Sequence, residues 1–267
     1  MRKLNLLLVG WGAIGARVAA LLAARDAPVM LCAVALRDTA TLRAGLPAAT
    51  PVITRPEALA DFAPDLVIEA AGRDAVLSWG RAALATGADF APASTSAFAD
   101  AQVLNELLAL ARRYGRQVLV PPGALGGIDA LAAAARLPLS SVTHEISKPP
   151  AAWLGTAAEA LCDLARLSGP TCFFEGSAGQ VARDFPQNAN VAAITALAGL
   201  GPDRTTIRLV ADPGAAMNRH RVTAEGAFGR MEITLDNRPL AANPKSSELT
   251  ALSLVRLIEN RASPLVI

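Results

Sequence analysis

The two histidines of the chain are its candidates for proton transfer near neutral pH, because a neutral imidazole is well matched to that task. His220 lies inside the strand-like segment 217–222, whose alternation assigns its side chain to one face of a sheet. His144 lies in a second strand-like segment, on the same face as Lys148. The pattern makes His220 the first catalytic candidate and His144 its competitor, and it leaves open an ordinary packed or surface histidine.

Lysine is rare in this chain, since only three of its 25 basic residues are lysines. Lys148 ends a strand-like segment, and Lys245 precedes a helix-like one. A lysine ammonium is a compact cation that can bind a carboxylate. Both residues are therefore candidates for substrate binding, with a solvated loop lysine as the alternative at each position.

Two asparagines, Asn188 and Asn190, stand at the start of an apolar helix-like segment. Each amide supplies donors and an acceptor, so the pair could hold a carboxamide or a substrate carboxylate. Capping of the helix by Asn188 is the structural alternative.

A glycine turn follows the apolar run Leu4–Val9 and leads into a helix-like stretch at 16–24. In a dinucleotide site the first glycine makes the turn, the second lets the pyrophosphate approach the backbone, and the third brings helix and strand together. The diphosphate then meets the amides at the positive end of the helix. We therefore predict cofactor binding by the residues of this turn: Gly10, Gly12, Ala13, Ile14 and Gly15.

The end of the second strand-like segment leaves the choice of cofactor open. Asp38 would bind the ribose hydroxyls of NAD, whereas Arg37 could receive the additional phosphate of NADP.

Composition predicts an ordinary globular protein, because 52% of the 267 residues are hydrophobic and the net charge is only +2. This charge gives no general attraction to nucleic acid, and no apolar run approaches the length of a membrane span. Glycines and Arg17 interrupt the apolar N-terminal stretch, which argues against a secretory signal. A cytoplasmic enzyme is expected.

The three cysteines lack the close paired spacing of a zinc site and are too few for a disulfide framework. Cys32, Cys162 and Cys172 all have apolar neighbours, and Cys162 falls in the helix-like segment 157–167. We predict that all three pack in the interior, in a reducing compartment, and that the chain has no metal site.

The first part of the chain alternates apolar strands with helix-like stretches, which predicts a Rossmann-type doubly wound parallel sheet. The predicted strands are 4–9, 29–36, 66–71, 89–93 and 117–120, and the predicted helices are 16–24, 75–86 and 99–114.

Strand-like segments with fewer helices follow, which predicts a second α+β domain built on a mainly antiparallel sheet. They cover residues 142–147, 171–175, 205–210, 218–224 and 230–236. A turn and cap sequence at 243–246 precedes a last helix at 247–261. We expect residues 1–121 with 244–267 to bind the dinucleotide, residues 122–243 to bind substrate and mediate dimerisation, and a cleft to lie between the two domains.

Taken together, the motifs resemble those of the L-aspartate dehydrogenase family over nearly the whole chain. The motifs that carry the resemblance are Gly10–Gly15, Gly123–Asp129, Asn188–Ala192, His220 and Asn243–Ser247. In that family an alanine and an asparagine at matching positions contact the nicotinamide cofactor, which implies Ala124 and Asn190 here. The matching histidine is the active-site residue, which implies His220.

The resemblance implies NAD(P)-dependent oxidation of L-aspartate to iminoaspartate, which then gives oxaloacetate and ammonia or supplies NAD biosynthesis, and it implies a homodimer. We hypothesise that His220 accepts the amine proton or activates water. Lys245, with Lys148 and Asn188, would neutralise the substrate carboxylates, because burying them unpaired is costly.

Two positions depart from the family pattern, and other functions remain open. Trp11 is bulky where smaller residues are common, and Pro92–Ser96 replaces a more usual glycine-containing loop. A related amino-acid or homoserine-type dehydrogenase or reductase would keep the first domain. A semialdehyde dehydrogenase would need a nucleophilic cysteine in a polar loop. A non-catalytic nucleotide sensor would bind cofactor without turnover.

Overall fold

The computed structural model describes residues 3–38 and 44–267, with residues 244 and 245 described by their backbone alone. Contacts divide the chain into two compact units, Met1–Pro121 with Thr250–Ile267, and Pro122–Leu249. The elements up to residue 121 are β1 (Leu4–Val9), α1 (Ala13–Ala24), β2 (Val29–Ala35), β3 (Val52–Ile53), β4 (Leu66–Glu69), α2 (Val76–Ala85), β5 (Asp89–Pro92) and α3 (Ala101–Tyr114). The later elements are α4 (Ile128–Ala134), β6 (Leu139–Lys148), β7 (Thr171–Ser177), α5 (Ala178–Asp184), α6 (Ala189–Ala198), β8 (Thr206–Ala211), β9 (Asn218–Gly226), β10 (Gly229–Asn237), β11 (Pro239–Leu240), β12 (Asn243–Ser247) and α7 (Glu248–Ala262).

The first unit is built on a parallel sheet with the strand order β3-β2-β1-β4-β5. Alternate residues of β1 enter different cores, because successive side chains of a strand point to opposite faces. Leu7 packs in a cluster with residues of α2 and α3, whereas Leu8 packs with residues of α1 and α7. The sheet is therefore covered by helices on both faces, which confirms the Rossmann-type fold class.

The second unit is built on a sheet with the strand order β10-β9-β6-β8-β7, in which only the β6–β8 pair is parallel. The predicted mainly antiparallel sheet is thus confirmed. One face packs with α5 and α6, where Ile146 and Leu209 share a core cluster with Ala192 and Ala196. The opposite face carries charged residues, and there Glu145 pairs with Arg208 at 3.0 Å and with Arg221 at 2.8 Å.

Three predicted elements were wrong or reduced. The predicted helix 157–167 is only a 3-10 helix at Ala157–Ala160, and the carboxylate of Asp163 accepts from the amide of Ala165, a local bond that competes with helix formation. The predicted strand 117–120 is reduced to one bridge between Val118 and Phe90, and two prolines without amide donors follow it.

The predicted turn and cap at 243–246 is a strand, β12, which pairs with β11. This pairing also explains why residues 244–249 group with the second unit, although we expected them in the first domain.

The glycine turn after β1 has a backbone that tolerates side chains at only some positions. Gly10 has φ +97°, and a Cβ there would lie 2.7 Å from the carbonyl oxygen of Ala70. A Cβ on Gly15 would overlap the carbonyl oxygen of Gly10, so the first turn of α1 lies directly against the turn. Gly12, in contrast, has no neighbouring heavy atom within 4 Å of its Cβ position among the described residues.

We expect Gly15→Ala to lower the free energy of unfolding by about 1–3 kcal/mol. The added methyl group would overlap the carbonyl oxygen of Gly10, and the backbones of the two glycines cannot separate unless the helix moves. Gly12→Ala is the matched control and should cost less than about 1 kcal/mol, since its methyl group enters open space. Urea unfolding of both variants measures the difference. Equal losses of stability would contradict this account of the turn.

Candidate functional site

The first unit has a cleft of about 580 Å³ at the carboxyl ends of its parallel strands. In open sheets of this kind ligands bind at that edge. The lining comes from the turn after β1, the two residues after β2 and the loop after β4, and it includes Gly10, Trp11, Gly12, Arg37, Ala71 and Gly72.

The amino end of α1 supplies amides to this region. The hydrogen bonding of the helix begins with the amide of Ala16, which donates to the carbonyl of Gly12. The preceding amides, those of Ala13, Ile14 and Gly15, are thus available to an anion at the positive end of the helix. Together with the open space beside Gly12, this geometry fits the diphosphate of a dinucleotide.

Trp11, which departs from the family pattern, is accommodated by packing. Its side chain is buried in the cluster that includes Leu8 and Val18, and its indole nitrogen donates to the carbonyl of Ala44 at 3.0 Å. The larger side chain therefore leaves no polar group of its own unsatisfied.

Glu69 is a fully buried carboxylate that the sequence analysis missed. Its oxygens accept from the amides of Ala71 and Gly72, both at 2.7 Å, and from the amide and hydroxyl of Ser94, at 3.1 and 3.0 Å. Burial raises the pKa of Glu69 above its usual value. The carboxylate connects the loop after β4, which is part of the cleft lining, to the atypical 92–96 loop. In the sequence, an acidic residue inside an apolar strand was the signal that could have identified Glu69.

Arg37 and Asp38 follow β2, and both are exposed. Arg37 lines the cleft. Their positions are consistent with either predicted contact to the ribose end of a dinucleotide.

The second unit brings the two histidines together on the buried face of its sheet. Ile146 of β6 pairs with His220 of β9, and His144 pairs with Val222, so the histidines are diagonal neighbours on adjacent antiparallel strands. Nε2 of His144 lies 3.0 Å from Nδ1 of His220. The two competing candidates are therefore members of one hydrogen-bonded pair.

Helix α6 covers this face and supplies the partners of the β6 side chains. Lys148 donates from Nζ to Oδ1 of Asn188 at 2.5 Å, and Thr195 Oγ1 lies 2.9 Å from Nδ1 of His144. The two contacts are four residues apart on the strand, or about 13 Å, and seven residues apart on the helix, or about 10 Å. The helix thus runs opposite to β6, with one of its faces over alternate strand residues.

Lys148 is the last residue of β6, and its ammonium lies 4.9 Å from the ring centroid of the buried Trp153. Burial lowers the pKa of Lys148 from 10.5 to about 8, which leaves it mostly protonated at pH 7. Asn188 is the residue before α6 and is 2% exposed, but its side chain makes no capping hydrogen bond. The pair is a cation and an amide held together beneath a helix, a setting suited to a carboxylate.

Both histidines are kept neutral by their surroundings. Burial, with a further contribution from the charge of Lys148, lowers the pKa of His220 from 6.5 to about 3. Burial and the proximity of His220 lower the pKa of His144 well below 6.5. Near neutral pH the face therefore presents a protonated lysine and two uncharged imidazoles.

Thr195 is the second residue that the sequence analysis missed. It is fully buried, and its hydroxyl also lies 3.0 Å from the carbonyl of Val191, four residues earlier in α6. The available signal was a lone hydroxyl in an apolar helix, seven residues after Asn188 and hence on the same helix face.

The other predicted binding residues of this unit are placed as follows. Ala124 is buried, and its carbonyl accepts from Nδ2 of Asn237 at 2.7 Å. Asn190 is exposed in the first turn of α6. The side chain of Lys245 lies outside the described part of the chain, and the backbone of this residue belongs to β12.

The prediction that all three cysteines pack in the interior was wrong for one of them. Cys32 and Cys162 are partly buried, whereas Cys172 is exposed on β7. Its side chain lies on the charged face of the sheet, where it contacts Arg208. Within residues 3–38 and 44–267, no cluster of three or more His, Cys, Asp or Glu side chains could hold a metal ion, and no helix could span a membrane.

Two family models match the chain, one in each part. Residues 10–121 match "Homoserine dehydrogenase, NAD binding domain", and residues 129–261 match "Aspartate dehydrogenase, C-terminal".

Two similar proteins that the chain matches over nearly its whole length are both named L-aspartate dehydrogenase. An L-aspartate dehydrogenase from Brucella anthropi is 55% identical and covers 98% of both chains. An L-aspartate dehydrogenase from Pseudomonas aeruginosa is 44% identical, with 97% of this chain and 98% of the relative covered.

Solved structures show the same architecture. Aspartate dehydrogenase from Thermotoga maritima superposes with a TM-score of 0.80 over 99% of each chain, at 26% identity. A homoserine dehydrogenase from Thiobacillus denitrificans has a TM-score of 0.63 at 14% identity, covering 98% of this chain and 74% of that one, and shows the fold alone.

Proposed function

Because the chain belongs to the L-aspartate dehydrogenase family, we propose that it oxidises L-aspartate to iminoaspartate with NAD(P)⁺, the imine then hydrolysing to oxaloacetate and ammonia. One structural observation carries the proposal. A cation–amide pair, the partly buried Lys148 with the buried Asn188, shares a sheet face with the neutral imidazole of His220. These are the groups that an amino dicarboxylate requires, one to hold a carboxylate and one to take a proton.

The first unit holds the cofactor, which accepts a hydride from the substrate Cα when it is bound. The amides after Gly12 and the open space beside that glycine support the placement of the diphosphate at the start of α1. Arg37 lines the cleft and Asp38 follows it, which supports contact with either an additional phosphate or the ribose hydroxyls, so both NAD and NADP belong to the proposal. Ala124 and Asn190 are proposed as further cofactor contacts on the strength of the family resemblance.

Lys148 and Asn188 hold a substrate carboxylate. The ammonium supplies the charge, and the amide of Asn188 fixes its position through the 2.5 Å hydrogen bond. The burial of Asn188 and the partial burial of Lys148 strengthen their attraction for an anion, because water competes less. Lys245 is proposed for the second carboxylate from its sequence position alone.

His220 accepts a proton from the substrate nitrogen. An ammonium has no lone pair with which to form the C=N bond, so one proton must leave nitrogen before the hydride leaves Cα. A neutral imidazole can take that proton, and burial keeps His220 neutral.

A homodimer, a cytoplasmic location and a supply of imine to NAD biosynthesis belong to the same proposal. The family resemblance is their support.

Cofactor reduction in the presence of L-aspartate tests the proposed function. We expect turnover with L-aspartate to exceed that with L-glutamate, L-alanine and L-homoserine, with either NAD⁺ or NADP⁺, because the proposal assigns a lysine to each of the two carboxylates of L-aspartate. The absorbance of the reduced nicotinamide measures it. Preference for L-homoserine would favour the dehydrogenase alternative, and cofactor binding without turnover of any substrate would favour a sensor.

His220→Ala should lower kcat by about 10²–10⁴-fold, the usual contribution of a positioned acid–base group. His220→Asn is the companion variant, because it keeps a polar side chain but cannot accept a proton at neutral pH. Steady-state kinetics of both, with circular dichroism to verify folding, give the result. Near-normal turnover by either folded variant would remove His220 from its proposed role.

The binding of a dicarboxylate should weaken above pH 8, where Lys148 loses its proton. Succinate is the suitable probe because it has no amine to titrate. Its competitive inhibition constant should be constant from pH 6 to 7.5 and rise up to about tenfold per pH unit well above pH 8. Lys148→Arg is the matched control, since its guanidinium stays charged and its pH profile should be flat. A flat profile in the unsubstituted protein would contradict the assignment.

A further inference from the structure

The hydroxyl of Thr195 has two neighbours and only one proton to share between them. Oγ1 lies 3.0 Å from the carbonyl oxygen of Val191 and 2.9 Å from Nδ1 of His144. A carbonyl oxygen can only accept, so the hydroxyl proton must point to Val191 for that bond to exist. The bond to His144 then requires Nδ1 of the ring to be the donor.

This direction propagates to the second ring. A neutral imidazole carries one proton, so a His144 protonated on Nδ1 has a lone pair on Nε2. That lone pair faces Nδ1 of His220 at 3.0 Å, which must therefore carry the proton of its own ring. His220 is left with Nε2 unprotonated.

We propose that Thr195 and His144 are positioning residues that fix the tautomer of His220, so that its Nε2 is the proton acceptor in the reaction. The catalytic part of this inference rests on the proposed function, whereas the tautomer itself does not. The chain of donors runs from His220 to His144, then to Thr195, and ends at the carbonyl of Val191 in α6.

The tautomer decides whether His220 can act as a base at all. With the proton on Nε2 the ring could accept only at Nδ1, and that nitrogen is occupied by His144. With the proton on Nδ1, Nε2 takes the substrate proton, and the resulting imidazolium keeps its bond to His144. Of the charged groups near the pair, the ammonium of Lys148 acts on His220 from β6, and it disfavours a charged ring until an anion offsets it.

Nitrogen NMR of histidine-labelled protein tests the tautomers without any turnover. The chain has only two histidines, so four ring nitrogens give the whole pattern. At pH 7 we expect both rings to be neutral with the proton on Nδ1, whereas an unconstrained imidazole carries it mainly on Nε2. A proton on Nε2 of either ring, or a charged ring, would overturn the inference.

Substitutions at Thr195 connect the tautomer to catalysis. Thr195→Val removes the hydroxyl that accepts from His144 while nearly preserving shape, so we expect a mixed tautomer on His220 and a kcat lower by about 3–10-fold, the factor that corresponds to one net hydrogen bond. KM for L-aspartate should change by less than about twofold, because the substrate-holding lysine is untouched. Thr195→Ser keeps the hydroxyl and should restore both the tautomer and most of kcat.

Thr205→Val is the matched control for this change. Thr205 is also fully buried in the second unit, but its hydroxyl has no hydrogen-bond partner among the described residues. The same chemical substitution there should leave the histidine signals and kcat unaltered. Equal effects of the two valine variants, or loss of activity in Thr195→Val with unchanged tautomers, would refute the positioning role.

The two proposals fail separately. If the unsubstituted protein shows the expected tautomers but no turnover of L-aspartate, the proposed function is wrong and the hydrogen-bond chain stands. If it turns over L-aspartate with His220 protonated on Nε2, the function stands and the chain is wrong.

Discussion

The 3.0 Å hydrogen bond between His144 and His220 needs a proton on one of the two facing nitrogens and none on the other. The two rings therefore cannot both be charged, and their burial keeps both of them neutral. The partners of the rings are an uncharged hydroxyl and each other, and the partly buried cation on this face, Lys148, has its own amide partner, Asn188.

The register between α6 and β6 is what satisfies both pairs at once. Asn188 meets Lys148 at one end of the shared path, and Thr195 meets His144 at the other. A shift of the helix by one residue would turn these side chains by about 100° and break both contacts. Farther along, Gly199 comes close to Val142, where a Cβ would lie 3.2 Å from that side chain. The small residue there lets the helix stay close to the strand over its whole length.

Local patterns predicted the parts of the site but not their pairing. Alternation placed His144 and Lys148 on one strand face, and motif context placed the glycine turn before α1, because both depend on neighbouring residues. The His144–His220 and His144–Thr195 contacts join residues 76 and 51 positions apart, which only the tertiary fold brings together. The role of Glu69 was not predicted for a related reason, because its partner Ser94 lies on a loop 25 residues farther along the chain.

A histidine with a pKa of about 3 would be a weak base if its environment stayed constant, but the proposed substrate changes that environment. The pKa of His220 is lowered by burial and by the charge of Lys148. A carboxylate bound to Lys148 offsets the second of these causes and adds negative charge near the ring, so both effects raise the proton affinity of His220. Basicity would then develop only when the dicarboxylate is bound. The lysine proposed to hold the substrate would thereby link substrate binding to the strength of the base.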